Sequence, residues 1–135
     1  MILTDAGPLI AILDRGEPDH QRCVRVLADL TGPMVTTWPT LTEAMYLLGS
    51  AGGWPGQEAL WKLVERGDVQ LVELGEALRK RTRALMAKYR DLPMDLADAS
   101  LVAVAEALDL RRVFTLDSDF RVYRTKGRRQ LDVVP

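Results

Sequence analysis

Four acids stand far apart along the chain, at Asp5, Glu43, Asp98 and Asp117. Each falls at or near a junction where an expected strand gives way to a helix, or near a helix start. Carboxylates in such places are costly unless something positive sits among them. A divalent cation is the obvious counter-charge, because hard ions such as Mg²⁺ take oxygen ligands and keep several waters, so a few carboxylates suffice. One such ion, or two set roughly 3.5–4 Å apart, can lower the pKa of water, orient a phosphate and stabilise charge in phosphodiester hydrolysis. No His or Cys set exists to make a zinc site, since His20 and Cys23 are the only residues of their kinds.

Each acid also has a purely structural explanation. Asp5 suits the N-cap of a following helix. Thr40-Leu41-Thr42-Glu43 matches a capping box, with Thr at N-cap and Glu at N3. Against that, Tyr46 and Leu47 follow Glu43 at helical spacing, so it is expected on a largely apolar face. Asp95 is a natural N-cap, and Asp98 next to it gains from the helix dipole. Yet Leu101, Val102 and Ala105 align Asp98 with the apolar stripe of its own helix. Asp117-Ser118-Asp119 reads as an Asx turn into a short helix. Singly these explanations work. They leave open why acids recur where a fold would gather them.

The elements that must position these acids alternate along the chain. Short apolar strands are expected at 1–4, 34–37, 69–72 and 112–115, with a fifth at 131–134. Helical spacing predicts helices from the turn at 5–8 through 13, and over 20–30, 40–48, 55–66, 75–90 and 95–108. Pro8 falls in a first turn, where its missing N–H is harmless, and 49–53 is expected to be a Gly-rich loop. Strands alternating with helices imply a central parallel sheet covered on both faces, a three-layer α/β/α sandwich. Sites in such folds form at the carboxyl ends of the strands. Asp5 and Asp117 follow the first and fourth strands.

The chain's 135 residues suit one domain, 1–135. It is 47% apolar and 27% charged, with a net charge of −1, which excludes a simple polycationic nucleic-acid binder. A single cysteine allows no internal disulfide and fits a reducing compartment. No apolar run approaches the roughly 20 residues of a membrane span, and the N-terminus lacks a signal-peptide pattern. A cytoplasmic setting is expected. Residues 91–109 contain acids but no Lys or Arg, whereas basic residues are dense on both sides. Arg121, Arg124 and Lys126, just after the fourth acid, are the candidate contacts to a nucleic-acid backbone. Trp38 and Trp61 are expected to pack, Cys23 to be core, and Trp54 to be exposed.

In order and spacing, Leu3-Thr4-Asp5-Ala6-Gly7-Pro8-Leu9-Ile10-Ala11, Thr40-Leu41-Thr42-Glu43-Ala44, Pro93-Met94-Asp95-Leu96-Ala97-Asp98-Ala99-Ser100-Leu101-Val102-Ala103 and Val113-Phe114-Thr115-Leu116-Asp117-Ser118-Asp119-Phe120 resemble the PIN domain, and within it the VapC-type toxins. The resemblance spans nearly the whole chain. It implies a metal-dependent endoribonuclease that hydrolyses RNA with metal-activated water, using one or two Mg²⁺ or Mn²⁺ ions. It places metal-binding or catalytic acids at Asp5, Glu43, Asp98 and Asp117, with Asp95 as an additional ligand and Asp119 as a rival for the fourth position. It also implies a homodimer and inhibition by an antitoxin. The alternative is a PIN-like scaffold that binds RNA or antitoxin with little turnover. Two other acidic α/β enzymes fit worse. A haloacid-dehalogenase-like phosphatase needs an acid where Gly7 stands, and a receiver domain lacks its middle-strand Asp and late Lys here.

Overall fold

The computed structural model describes residues 1–135. In chain order the first half comprises β1 (Ile2–Thr4), α1 (Ala6–Leu13), α2 (His20–Asp29), β2 (Met34–Thr37), α3 (Trp38–Gly52), α4 (Trp54–Glu65) and β3 (Val69–Val72). The second half adds α5 (Glu76–Lys88), α6 (Leu96–Leu108), β4 (Arg112–Phe114), a 3₁₀ turn (Ser118–Arg121), β5 (Arg124–Thr125), β6 (Arg129–Gln130) and β7 (Asp132–Val134). The main sheet runs β3-β2-β1-β4-β7, and every pairing in it is parallel. This is the expected parallel sheet with helices on both faces.

Strands this short hold their place because both faces are buried. Side chains alternate between two cores. Leu3, Val35 and Val113 join α5 and α6 on one face. Ile2, Met34 and Phe114 join α1, α3 and α4 on the other. A one-residue slip would exchange the two sets, so the register Leu3 opposite Val35 and Val113 is strongly specified. Helix α6 is the interior helix: every residue from Ala97 to Ala105 is buried. Arg81 on α5 donates Nε and Nη2 to the Glu106 carboxylate at 2.7 and 2.9 Å and so fastens α5 to α6.

Four expectations about the local structure are corrected. Helix α3 begins at Trp38 with Thr37 as N-cap and Pro39 in its first turn. Thr40 therefore lies inside the helix, its hydroxyl 3.1 Å from Thr37 Oγ1, and no capping box with Glu43 forms. The Gly-rich segment continues α3 to Gly52, braced by Gln57 Nε2 donating to Met45 O at 3.1 Å. The turn comes only at Gly53, whose φ of 79° favours glycine. The face carrying Glu43, Tyr46 and Leu47 is not core, for Tyr46 is 72% and Leu47 42% exposed. Trp38 does not pack inside either; it is partly exposed and donates Nε1 to Glu73 at 3.0 Å. The antiparallel hairpin β5–β6 was not anticipated, because two-residue strands carry no readable period.

Leu101 is fully buried among α5, α6 and the sheet. Leu101→Ala is expected to destabilise the protein by about 2–5 kcal/mol, measured by urea unfolding; a loss below about 1 kcal/mol would mean that this face is not close-packed.

Candidate active site

The topology brings the separated acids to one edge. Strands β1 and β4 are neighbours, so Asp5 and Asp117, which follow them, emerge side by side. Backbone bonding continues past the strands: Asp5 N donates to Phe114 O, and Thr115 N to Val134 O, each at 2.9 Å. Helix α6 begins at the same edge with Asp95 as its N-cap, and Asp98 lies in its first turn. Glu43 reaches in from α3. Together Asp5, Glu43, Asp95, Asp98 and Asp117 line an open cleft of about 430 Å³, with Gly7, Leu116 and Ser118 completing it. Gly7 and the Leu116 side chain adjoin at this wall of the cleft.

The carboxylates are oriented by neutral donors. Asp5 Oδ1 accepts from Ala6 N at 2.8 Å and Oδ2 from the Thr115 hydroxyl at 2.8 Å. Thr115 Oγ1 in turn accepts from Asp117 N at 3.0 Å. Asp95 Oδ1 caps α6 by accepting from Asp98 N at 2.8 Å. Asp98 Oδ2 accepts from the Tyr123 hydroxyl at 2.8 Å, and Asp117 Oδ1 accepts from Asp119 N at 2.9 Å. The N-termini of α1 and α6 both end at the cleft and add favourable dipole. No ion pair of the molecule reaches any of these acids.

Their charges therefore oppose one another. Burial, then the neighbouring Asp117 and Asp95, push the Asp5 carboxyl above its ordinary range, despite lowering bonds from Thr115 and Ala6. Burial and the charges of Asp5, Asp95 and Asp117 raise Glu43 as well. Asp98 is the most affected, pushed up to about 8, chiefly by burial; the Tyr123 bond opposes the shift and the neighbouring acids add to it. A donor set made only of oxygen, with no cation of its own, has the chemistry of a hard-cation site. The side chains stand apart: no three acids are gathered tightly enough to enclose an ion unaided. That spacing suits an ion that keeps part of its water shell and takes only one or two carboxylates directly.

Asp117 lines the cleft and Asp119 does not. The basic candidates lie elsewhere. Arg121 is exposed on the 3₁₀ turn that follows Asp117. Arg124 spends Nη1 on the carbonyls of Arg121, Val122 and Tyr123, at 2.6, 2.9 and 3.0 Å, so it closes a turn. Lys126 lines a different cavity of about 370 Å³ with Glu106, Asp109, Arg111 and Arg129. Two side chains that orient acids were not foreseen, Thr115 and Tyr123. Thr115 had a signal, a hydroxyl two residues before Asp117 at a strand end. Tyr123 had none beyond helical spacing from Phe120.

Gathered acids at the carboxyl edge of a parallel sheet define a class of α/β proteins with a carboxylate-lined site. Residues 2–126 match the PIN domain model, and the chain belongs to the PIN domain family. It is similar to Ribonuclease VapC26 of Mycobacterium tuberculosis (strain ATCC 25618 / H37Rv), with 26% identity over 135 residues, spanning 99% of this chain and 100% of that protein. The structure resembles the crystal structure of Mycobacterium tuberculosis VapC20, a sarcin-ricin loop cleaving toxin, with a TM-score of 0.86 at 18% identity and 100% coverage of both chains. A toxin–antitoxin complex from Klebsiella pneumoniae is similar at a TM-score of 0.68 and 20% identity, over 89% of this chain and 90% of that one.

The raised acids predict how metal-free protein responds to pH. An acid whose pKa is higher folded than unfolded favours the fold below its unfolded value, and that contribution is lost as pH rises through the folded value. For Asp98 the window runs from 3.8 to about 8. In EDTA, wild type is expected to lose more melting temperature between pH 5 and pH 8 than Asp98→Asn does. Equal losses in thermal melts of the two proteins would sink this account.

Proposed function

We propose that this protein is a metal-dependent endoribonuclease of the VapC type, the toxin of a type II toxin–antitoxin pair. It acts in the cytoplasm as one PIN-like domain over 1–135. The observation that carries the reading is the convergence of Asp5, Glu43, Asp95, Asp98 and Asp117 on one cleft that no cation of the chain neutralises. The full-length similarity to a ribonuclease names the reaction class.

Asp5, Asp98 and Asp117 would hold a Mg²⁺ or Mn²⁺ ion, one or two of them directly and the others through its water shell, with Asp95 as an additional ligand. When bound, the ion supplies a Lewis acid that neutralises phosphate charge and makes water more acidic at neutral pH. Thr115 keeps Asp5 and Asp117 in fixed relation through its two hydrogen bonds. Glu43 has no hydrogen-bond partner within the protein and stands at the open side of the cleft, so both oxygens are available to accept from a water and orient it towards the phosphate. Its raised pKa makes it a better proton acceptor than an ordinary glutamate. Arg121, on the exposed turn after Asp117, contacts the RNA backbone. Arg124 fixes the turn that presents Arg121, and Lys126 serves at most a more distant phosphate. The reaction proceeds by direct attack of water, without a covalent intermediate.

The exposed Trp38, Tyr46, Leu47 and Trp54 supply apolar surface for a homodimer and for an antitoxin. No helix is long and apolar enough to cross a membrane.

Antitoxin-free protein is expected to cut RNA with Mg²⁺ or Mn²⁺ and to stop in EDTA. Asp5→Asn and Asp98→Asn should each lose more activity than the about 10–100-fold typical of residues that merely support a ligand. Asp117→Asn should be similarly damaging, and Asp119→Asn should retain most activity; the reverse order would move the fourth acid to Asp119. Binding of RNA measured on the same preparation separates an enzyme from a scaffold. Metal-independent binding without cleavage would establish the scaffold.

A further inference from the structure

Tyr123 is wholly buried, yet it carries a phenol that must be satisfied inside the protein. A buried tyrosine can meet that need on any backbone carbonyl. This one donates to Asp98 Oδ2 at 2.8 Å. The bond joins the segment after the 3₁₀ turn to the first turn of α6, and so ties the element that carries Asp117 to the one that carries Asp98. The ring cannot swing away. Phe120 and Tyr89 pack on it edge to face, with centroids 5.2 and 5.3 Å distant. Tyr123 N is held by Asp119 O at 3.2 Å.

The consequence falls on Asp98. With Oδ2 occupied, Oδ1 has no partner in the protein, and no buried side-chain oxygen of the molecule is left unpaired. Oδ1 is therefore the oxygen that meets the cleft. We propose that Tyr123 is a positioning residue for the cation site: its hydroxyl selects which Asp98 oxygen faces the cleft and fixes the direction in which that oxygen is presented. This role rests on the metal-dependent reading above.

Tyr123→Phe deletes the hydroxyl and keeps the ring. Tyr89→Phe is the matched control: it removes a phenol from the same aromatic cluster, one that accepts from a backbone amide and touches no acid. Mn²⁺ affinity of antitoxin-free protein, measured by calorimetry and by the electron paramagnetic resonance of free Mn²⁺, is the readout. Thermal melts in EDTA check that both variants are folded. Tyr123→Phe is expected to bind Mn²⁺ about 10–100-fold more weakly than wild type, and Tyr89→Phe within about 3-fold of it on the same scale. Adding Tyr123→Phe to Asp98→Asn should weaken binding no further, because a residue that acts through Asp98 has nothing left to position. Wild-type affinity in Tyr123→Phe, or an equal loss in Tyr89→Phe, overturns the positioning role and leaves the nuclease reading intact. Absence of Mn²⁺ binding in wild type overturns both.

Discussion

Repulsion among carboxylates that no cation of the chain relieves is the constraint around which this structure is arranged. Five acids share one cleft, and each oxygen that is held is held by a neutral group: an amide of Ala6, Asp98 or Asp119, or a hydroxyl of Thr115 or Tyr123. An arginine in their place would stabilise the metal-free protein more. It would also fill the cleft with the charge that an incoming cation must bring. Neutral donors fix direction without cancelling charge, so the cleft keeps a negative field that a divalent ion would answer.

That arrangement is possible because the sheet supplies rigidity elsewhere. The acids leave from the carboxyl ends of β1 and β4 and from the N-terminus of α6, three elements that are almost entirely buried. Burial on both faces specifies register, and register decides that Asp5 and Asp117 are neighbours. A further set of hydroxyls works behind the acids. Thr37 Oγ1 lies 2.6 Å from Ser100 Oγ, and Thr36 donates to Thr4 O at 2.8 Å. These bonds satisfy polar groups where β2, β1 and α6 meet, so the back of the cleft is closed without charge.

The parallel sheet, the helices over both faces and the convergence of Asp5, Asp98 and Asp117 were legible in the sequence, because they follow from period and strand order. Asp98 was legible for a sharper reason: an acid on an apolar stripe needs a partner, and it is indeed buried. Glu43 was expected in the site on the wrong ground. Its helix face is exposed, and it lines the cleft because α3 starts at Trp38 and swings it over the edge of the sheet. Trp38 misled because a large apolar residue at a helix start can cover a rim as well as fill a core. Tyr123 was illegible because its meaning lies in a single hydroxyl contact across 25 positions, which no periodicity encodes.

The distribution of basic residues follows from the same repulsion. RNA affinity requires cations, but a side-chain cation within ion-pair reach of the acids would compete with a divalent ion there. The chain separates the two needs by position. Residues 91–109, which supply Asp95 and Asp98, hold no Lys or Arg. Arg124 is bound to three carbonyls and Lys126 is turned to another cavity. Only Arg121 is left exposed on the turn that follows Asp117. On the proposed function, a phosphate bridging Arg121 and a cation held by the acids would join two positive charges that the fold keeps apart, and RNA and metal would each strengthen the binding of the other.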